Sequence, residues 1–153
     1  MPHIEIIDSL PEHVSQLCHS MRENDAREAT CLGLLPHHEL WRSYRKSILR
    51  RTVFIDGEIA AMWGVVGTPL GIRGCPWFIT GRPCDKVSPV LFALAYRQEL
   101  RVARRLFPLL VNYVHAEYNG SVRLLALMGF KLGPPIPIAP TGALFRECKI
   151  ENP

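Results

Sequence analysis

Apolar positions along the chain change period several times, and each change marks an element. His3 to Ile7 reads as a short strand. From Leu10 to about Gly33 the spacing is helical: Leu10, Val14, Leu17 and Met21 share one face, bordered by Cys18. Pro11 suits a first turn, with Ser9 as the candidate cap, and the charged run Met21 to Ala29 continues the pattern as one or two helices. A further helix is predicted over Pro36 to Arg50. Leu40, Trp41, Tyr44 and Ile48 form its apolar side, and Arg42, Arg45, Lys46 and Arg50 cover the rest. The runs Thr52 to Ile55 and Ile59 to Val66 then flank Asp56-Gly57, a hairpin signal. After a break at Gly71 to Gly74, Cys75 to Thr80 completes an antiparallel meander ending at Gly81.

Ser88-Pro89 opens the longest helix, because a serine can cap it and a proline in its first turn loses no needed N–H. Leu91, Ala95, Val102 and Leu106 make one stripe, flanked by Phe92, Tyr96, Ala103 and Phe107; Arg97, Arg101 and Arg104 fall on another face, and Pro108 ends the helix. Leu109 to Val114 is a near-continuous apolar run, as in a strand buried on both faces beside a parallel neighbour. Asn119-Gly120-Ser121 is read as the cap of a short helix, Val122 to Met128, with Gly129 closing it. Phe130 to Leu132 is a strand, Gly133 to Gly142 a proline-rich polyproline II connector, and Ala143 to Ile150 the last strand. Hairpins early and a β–α–β unit late predict an α+β (mixed α/β) fold around a central sheet.

Composition narrows the classes. With 48% hydrophobic and 21% charged residues, the 153-residue chain is expected to form one globular domain over 1–153. Uncharged stretches such as Ile59 to Ile72 are interrupted by glycine and proline and fall short of the ~18 to 20 apolar residues of a membrane-spanning helix. The opening MPHIEIID lacks the pattern of a secretory signal. Five cysteines, an odd count without C-x-x-C, point to reduced thiols. Adjacent His37 and His38 diverge on a helix, so no metal site is expected. The net charge of +4 admits an acidic or phosphate-bearing partner without requiring one. The arginine stripe could bind nucleic acid or an acidic protein, although a solvated helix face is the simpler reading.

The element order, with the stretch Val111 to Phe130, resembles the GNAT N-acetyltransferase superfamily: a buried strand, an Asn-led turn, and a short helix ending in Gly-Phe, matched by Asn119, Gly129 and Phe130. Within it, Cys75, Pro76, Trp77, Phe78, Asn112, Tyr113, Val114, Asn119, Ser121, Val122, Arg123 and Gly129 resemble the GNAT-like proteins of short-tailed bacteriophages, of the internal virion protein A type. The wider resemblance implies a twisted mixed sheet with helices on both faces and acetyl-CoA as cofactor. The narrower one implies an internal virion or assembly component without established enzyme activity. It would contact other phage or virion proteins, or a host protein, in the virion interior or the host cytoplasm.

The chemistry such an enzyme needs is only partly visible. GNAT enzymes hold the pyrophosphate with a [QR]-x-x-G-x-[GA] loop and a helix N-terminus. The corresponding segment, Gly81 to Pro89, retains only Gly81-Arg82; Pro83 and Pro89 remove donors and Asp85 repels phosphate. Arg82 and Lys86, the main chain near Val87 and Ser88, and Asn119 are the candidate cofactor contacts. Cys75 to Thr80 has no carboxylate, and Leu125 stands where the family's tyrosine would donate a proton. His115 and Tyr118 are the candidate replacements, histidine because its ordinary pKa is ~6.5. Cys84, near a helix start that favours thiolate, lacks a local His or Asp partner. The broken loop and missing tyrosine favour a non-catalytic phage protein with no cofactor. The alternative is an acetyl-CoA-dependent N-acetyltransferase with a degenerate phosphate loop, acting on a host or phage amine.

Overall fold

Asp56 and Gly57 adopt φ of 50° and 82°, the left-handed pair a two-residue hairpin turn requires, and around them the sheet assembles. The computed structural model describes residues 1–67 and 71–151. The strands are β1 (Ile4–Asp8), β2 (Ser47–Ile55), β3 (Glu58–Val66), β4 (Arg73–Thr80), β5 (Leu109–His115), β6 (Lys131–Ile138) and β7 (Ala143–Glu151). The helices are α1 (Pro11–Ser20), α2 (Glu23–Cys31), α3 (Pro36–Lys46), α4 (Pro89–Leu106) and α5 (Asn119–Leu127). The seven strands lie in the order β1-β2-β3-β4-β5-β7-β6, and every neighbouring pair is antiparallel except β4–β5.

Helices cover both faces of this twisted mixed sheet. On one side Val14, Leu17, Leu40 and Tyr44 of α1 and α3 pack on Met62 and Trp77. On the other, Phe92, Tyr96, Leu100 and Ala103 of α4 pack on Val53, Trp63, Val65 and Leu110, and α5 adds Leu124 and Leu125. All three tryptophans lie in or against these cores. The five cysteines are free thiols.

Several local expectations shift for identifiable reasons. α3 stops at Lys46, not Arg50, because Ser47 onward pairs with Val66 and Val65 of β3; Ile48 is then an exposed strand residue. Ser9 does not cap α1. Its hydroxyl bonds Thr52 Oγ1 at 2.8 Å, and Leu10 takes the cap position with its N–H donated to His13 Nδ1. The buried stripe of α4 runs through Phe92, Tyr96, Leu100 and Ala103, the flank of the expected one, and Leu106 is exposed. Tyr96 sets that rotation by packing edge-on against Trp63 and Phe78 at 4.8 and 5.5 Å. α5 begins at Asn119, which is therefore inside the helix rather than capping it. The proline-rich segment is no connector but strand β6, paired with β7 through Pro135↔Arg146 and Pro137↔Leu144. An edge strand tolerates prolines because its outer side needs no donors, and they deter edge-to-edge pairing.

Gly64 of β3 is closed in by its two neighbouring strands. A Cβ there would stand 2.5 Å from Leu49 O and 2.8 Å from Trp77 Nε1. Trp77 is also held by its Nε1–H donating to Ser47 Oγ at 2.6 Å. Gly64→Ala is expected to cost about 1–3 kcal/mol of stability through overpacking, read as a lowered midpoint in denaturant unfolding. An unchanged midpoint would show that Trp77 can move aside.

Candidate functional site

β4 and β5 start as partners and then part. Their parallel ladder holds only at Arg73↔Leu109 and Gly74↔Leu110. Strand alternation explains where it stops. The Gly81 N–H donates to Ala60 O of β3 at 2.6 Å, whereas the N–H and C=O of Thr80 point away from β3. Phe78 and Pro76 present their main chain on that same β5-facing side. Pro76 has no N–H to give, so the ladder cannot continue through it. Its carbonyl instead accepts the Asn112 side-chain amide at 2.5 Å, and Asn112 Oδ1 accepts the Tyr113 N–H at 2.7 Å. Beyond this bridge the two strands are no longer paired, and this unpaired stretch forms a wedge whose ends are Thr80 and His115.

α2 lies across the open end, and two of its carboxylates hold the strand ends. Asp25 accepts both the Thr80 N–H, at 3.1 Å, and the Thr80 hydroxyl, while the Arg22 N–H donates to Thr80 O at 2.9 Å. Glu28, three residues on and so on the same helix face, accepts the His115 N–H through Oε1 at 3.1 Å. Its other oxygen makes no hydrogen bond among the described residues. The C-terminal end of α2 is tied down as well, by the Thr141 hydroxyl donating to Cys31 O at 2.8 Å. Burial pushes the Glu28 carboxyl up to about 7, and the nearby charge of Asp25 adds to this against the stabilising His115 N–H. Burial also raises Asp25, opposed by its Thr80 hydrogen bonds and by Arg22.

His115 and Tyr118 gather at this same end of β5. The His115 ring is buried, stacks on Tyr118 with centroids 4.3 Å apart, and meets the edge of Phe145. Its Nδ1 accepts the Glu117 N–H at 3.2 Å. A neutral ring accepting there carries its proton on Nε2, so it faces its surroundings as a donor. Burial raises the Tyr118 phenol above its ordinary value, which keeps its proton in place at neutral pH. Asn119 follows in the exposed first turn of α5, its N–H donated to Glu117 O at 3.0 Å.

Arg82, Lys86, Val87 and Ser88 stand instead after β4. Arg82–Lys86 is a turn of 3-10 helix, in which the Cys84 N–H donates to Gly81 O and the Val87 N–H to Cys84 O. Ser88 caps α4 as expected, accepting the Leu91 N–H at 3.2 Å, and the Phe92 N–H returns to Ser88 O. Pro89 has no donor, so the first turn of α4 leaves the Val90 N–H. This main chain makes a poor pyrophosphate cradle, because Cys84, Val87, Leu91 and Phe92 spend their N–H groups locally and Pro83 and Pro89 have none, which leaves few donors besides that of Val90. The cationic side chains are also engaged: Arg82 donates to His19 O at 3.0 Å, Lys86 pairs with Glu58 at 3.2 Å, and Asp85 with Arg22 at 3.4 Å.

Cys84 is not poised as a nucleophile. It is buried, its thiol donates to Ala60 O at 3.1 Å, and burial pushes it up to about 12. Among the described residues no group of His, Cys, Asp and Glu could hold a metal ion, and no helix is long and apolar enough to cross a membrane. The arginine stripe of α4 borders a groove of about 280 Å³, where Arg97, Arg101 and Arg104 surround Leu100 and Met128 of the α4–α5 seam.

Solved structures share this whole architecture. A spermidine N-acetyltransferase from Vibrio cholerae, in complex with CoA and spermine, superposes with a TM-score of 0.67 over 97% of this chain and 95% of that one, at 13% identity. The fold is that of the GNAT acetyltransferases. The ribosomal-protein-S18-alanine N-acetyltransferase from Escherichia coli gives 0.66 at 14% identity, covering 97% and 94% of the two chains. The Salmonella typhimurium acetyl transferase that modifies the N-terminal serine of ribosomal protein L7/L12 gives 0.69 at 10% identity, covering 98% and 95%. No protein-family model and no curated protein sequence matches the chain.

Within this GNAT fold, Asp25 and Glu28 are the candidate-site residues that sequence reasoning missed. The run MRENDAREA reads as a charged, helix-compatible stretch, and only the i, i+3 spacing of the two acids marks a common face. Glu28 gives a signed pH dependence. Its folded pKa lies above the ordinary 4.5, so its contribution to stability is fully present at acid pH and is lost as pH rises through about 7. Glu28→Gln keeps an oxygen for the His115 N–H but removes the charge. The variant is expected to exceed the parent in stability by up to about 3 kcal/mol above pH 8 and to match it near pH 4, measured by urea unfolding at both. A gain that is equal at both pH values would rule out the buried-charge account.

Proposed function

We propose that this protein is an acetyl-CoA-dependent N-acetyltransferase with a degenerate phosphate-binding loop, acting on a host or phage amine. The observation that carries the reading is the β4–β5 wedge, in a GNAT fold, opening directly onto the ionisable groups of α2 and the end of β5. An N-acetyl transfer needs a place where an amine can lose a proton and a group that can return one to the leaving thiolate. His115 Nε2–H and the Tyr118 hydroxyl supply hydrogens at that end. The main chain after β4 does not form the phosphate cradle, so phosphate contacts would fall to Arg82 and Lys86, flanked by Val87, Ser88 and Asn119. The present partners of Arg82 and Lys86 are exposed contacts, worth little and readily exchanged.

A second reading keeps the fold and drops the chemistry: a non-catalytic bacteriophage protein, of the internal virion protein A type, working through protein contacts in the virion or the host. The closed 3-10 turn at Arg82–Lys86 and the spent loop donors favour it. Titration calorimetry separates the two. Acetyl-CoA is expected to bind in the micromolar range, and Arg82→Ala to weaken it roughly tenfold, about 1.4 kcal/mol. No heat with millimolar acetyl-CoA would remove the enzyme reading. Mass spectrometry of purified phage particles would then test for the protein in virions.

A further inference from the structure

The carboxyl group of Glu28 has a place in the fold that a structural role does not use up. One oxygen is fastened to the main chain of β5 and fixes the orientation of the group. The other is without a partner among the described residues, in a side chain that is half-buried. Asp25 sits one helical turn earlier and holds β4 through Oδ2, which takes both the N–H and the hydroxyl of Thr80, while its Oδ1, like Glu28 Oε2, makes no hydrogen bond among the described residues. Glu28 holds β5 through Oε1 in the same way, and it is the one of the two fastened beside His115. The titratable groups around it are Asp25 on α2, His115 and Tyr118 at the end of β5, and Cys148 on β7. Of these, His115 and Tyr118 present hydrogens, Asp25 spends Oδ2 on Thr80, and burial pushes the Cys148 thiol up to about 12.

We infer that Glu28 Oε2 is the catalytic proton acceptor for the amine, and that the acceptor substrate is a primary amine entering from the α2 side of the wedge. This inference rests on the N-acetyltransferase reading. The step is a plain proton transfer. The N–H bond of the substrate ammonium breaks with its electron pair left on nitrogen, the proton forms an O–H bond on Glu28 Oε2, and the neutral amine becomes the nucleophile. The proton later leaves to solvent, so Glu28 returns to carboxylate. A carboxyl that ionises near neutrality suits this role, because it is substantially charged at working pH yet basic enough to accept. An exposed glutamate would be roughly a hundredfold weaker as a base. Neither the strand β4 nor position 125, where the family places its proton-handling residues, supplies a competing group.

The test has two arms. In the first, the protein is labelled with carbon-13 at its glutamate carboxyls and titrated by NMR, with Glu28→Gln assigning the resonance. Glu28 is expected to titrate near neutrality, and millimolar n-propylamine to shift its resonance while n-propanol does not. An unshifted resonance overturns the amine site whether or not the protein is an enzyme. In the second arm, acetylation of n-propylamine by acetyl-CoA is followed against pH. The parent rate should rise with pH through the Glu28 titration. Glu28→Gln should lower kcat/KM at least roughly 100-fold and abolish that limb, with Glu28→Asp restoring part of it. Equal rates and equal pH profiles in parent and Glu28→Gln overturn the inference and leave the acetyltransferase reading standing. If calorimetry finds no acetyl-CoA binding and the parent transfers nothing, the reading fails and Glu28 has no catalytic role. A propylamine shift in that case would still identify an amine-binding carboxylate.

Discussion

A single missing hydrogen-bond donor organises the candidate site of this protein. Two parallel strands side by side normally remain paired over their length, and a buried amide left without a partner costs as much as a lost hydrogen bond. Pro76 takes the donor away at the β5-facing position next after Gly74, and the ladder ends there. Everything beyond follows from finding other partners for the main chain the parted strands expose. Asn112 bridges the gap to Pro76 O and turns its other amide atom to the Tyr113 N–H. Asp25 and Glu28 take the two amides nearest the open end. The helix that carries them is thereby fixed across the wedge, which is why a charged, weakly apolar segment such as α2 has a defined position at all.

The same satisfaction of donors runs through the loop after β4, with the opposite consequence for ligands. A phosphate cradle works because its amides are unspent and converge on one point. Here the segment folds into a 3-10 turn, two prolines subtract donors, and Ser88 uses its side chain to cap α4. The α2 side of the wedge thus keeps a carboxylate oxygen without a partner among the described residues, while the loop after β4 spends most of its donors on itself. Charge is distributed with the same asymmetry. α4 and α5 carry Arg97, Arg101, Arg104, Arg105 and Arg123 against Glu99 alone, a surplus of four that equals the +4 of the whole chain. Glu99 itself is buried and paired with Arg51 at 2.9 Å. The positive charge is therefore a property of the face opposite α2 and not of the loop.

Much of the architecture was legible along the chain because it rests on local rules. Asp56-Gly57 dictated the first hairpin, Ser88-Pro89 the start of α4, Gly129 with φ of 97° the end of α5, and the apolar run Leu109 to Val114 a strand with a parallel neighbour. Errors arose where pairing outcompeted local preference. Ser47 to Arg50 continues a helical pattern but gains more by pairing with β3, and the prolines of β6 suit polyproline II yet pair with β7 because only their outer side lacks donors. Of the candidate site residues, His115 and Tyr118 were visible because they follow a recognisable strand. Asp25 and Glu28 were not, since nothing in a charged helix announces what it will lie against.

The sequence by itself determined the order of elements, the sheet that order closes, and the defects in the phosphate loop, because periodicity, turn residues and the absence of N–H groups are properties of the residues themselves. Only the tertiary structure decided which carboxylate becomes a half-buried group at the end of the wedge, with one oxygen unpartnered among the described residues. A carboxyl's basicity is set by the water it loses and the donors it meets, and for Glu28 the decisive donor lies 87 residues away on another element.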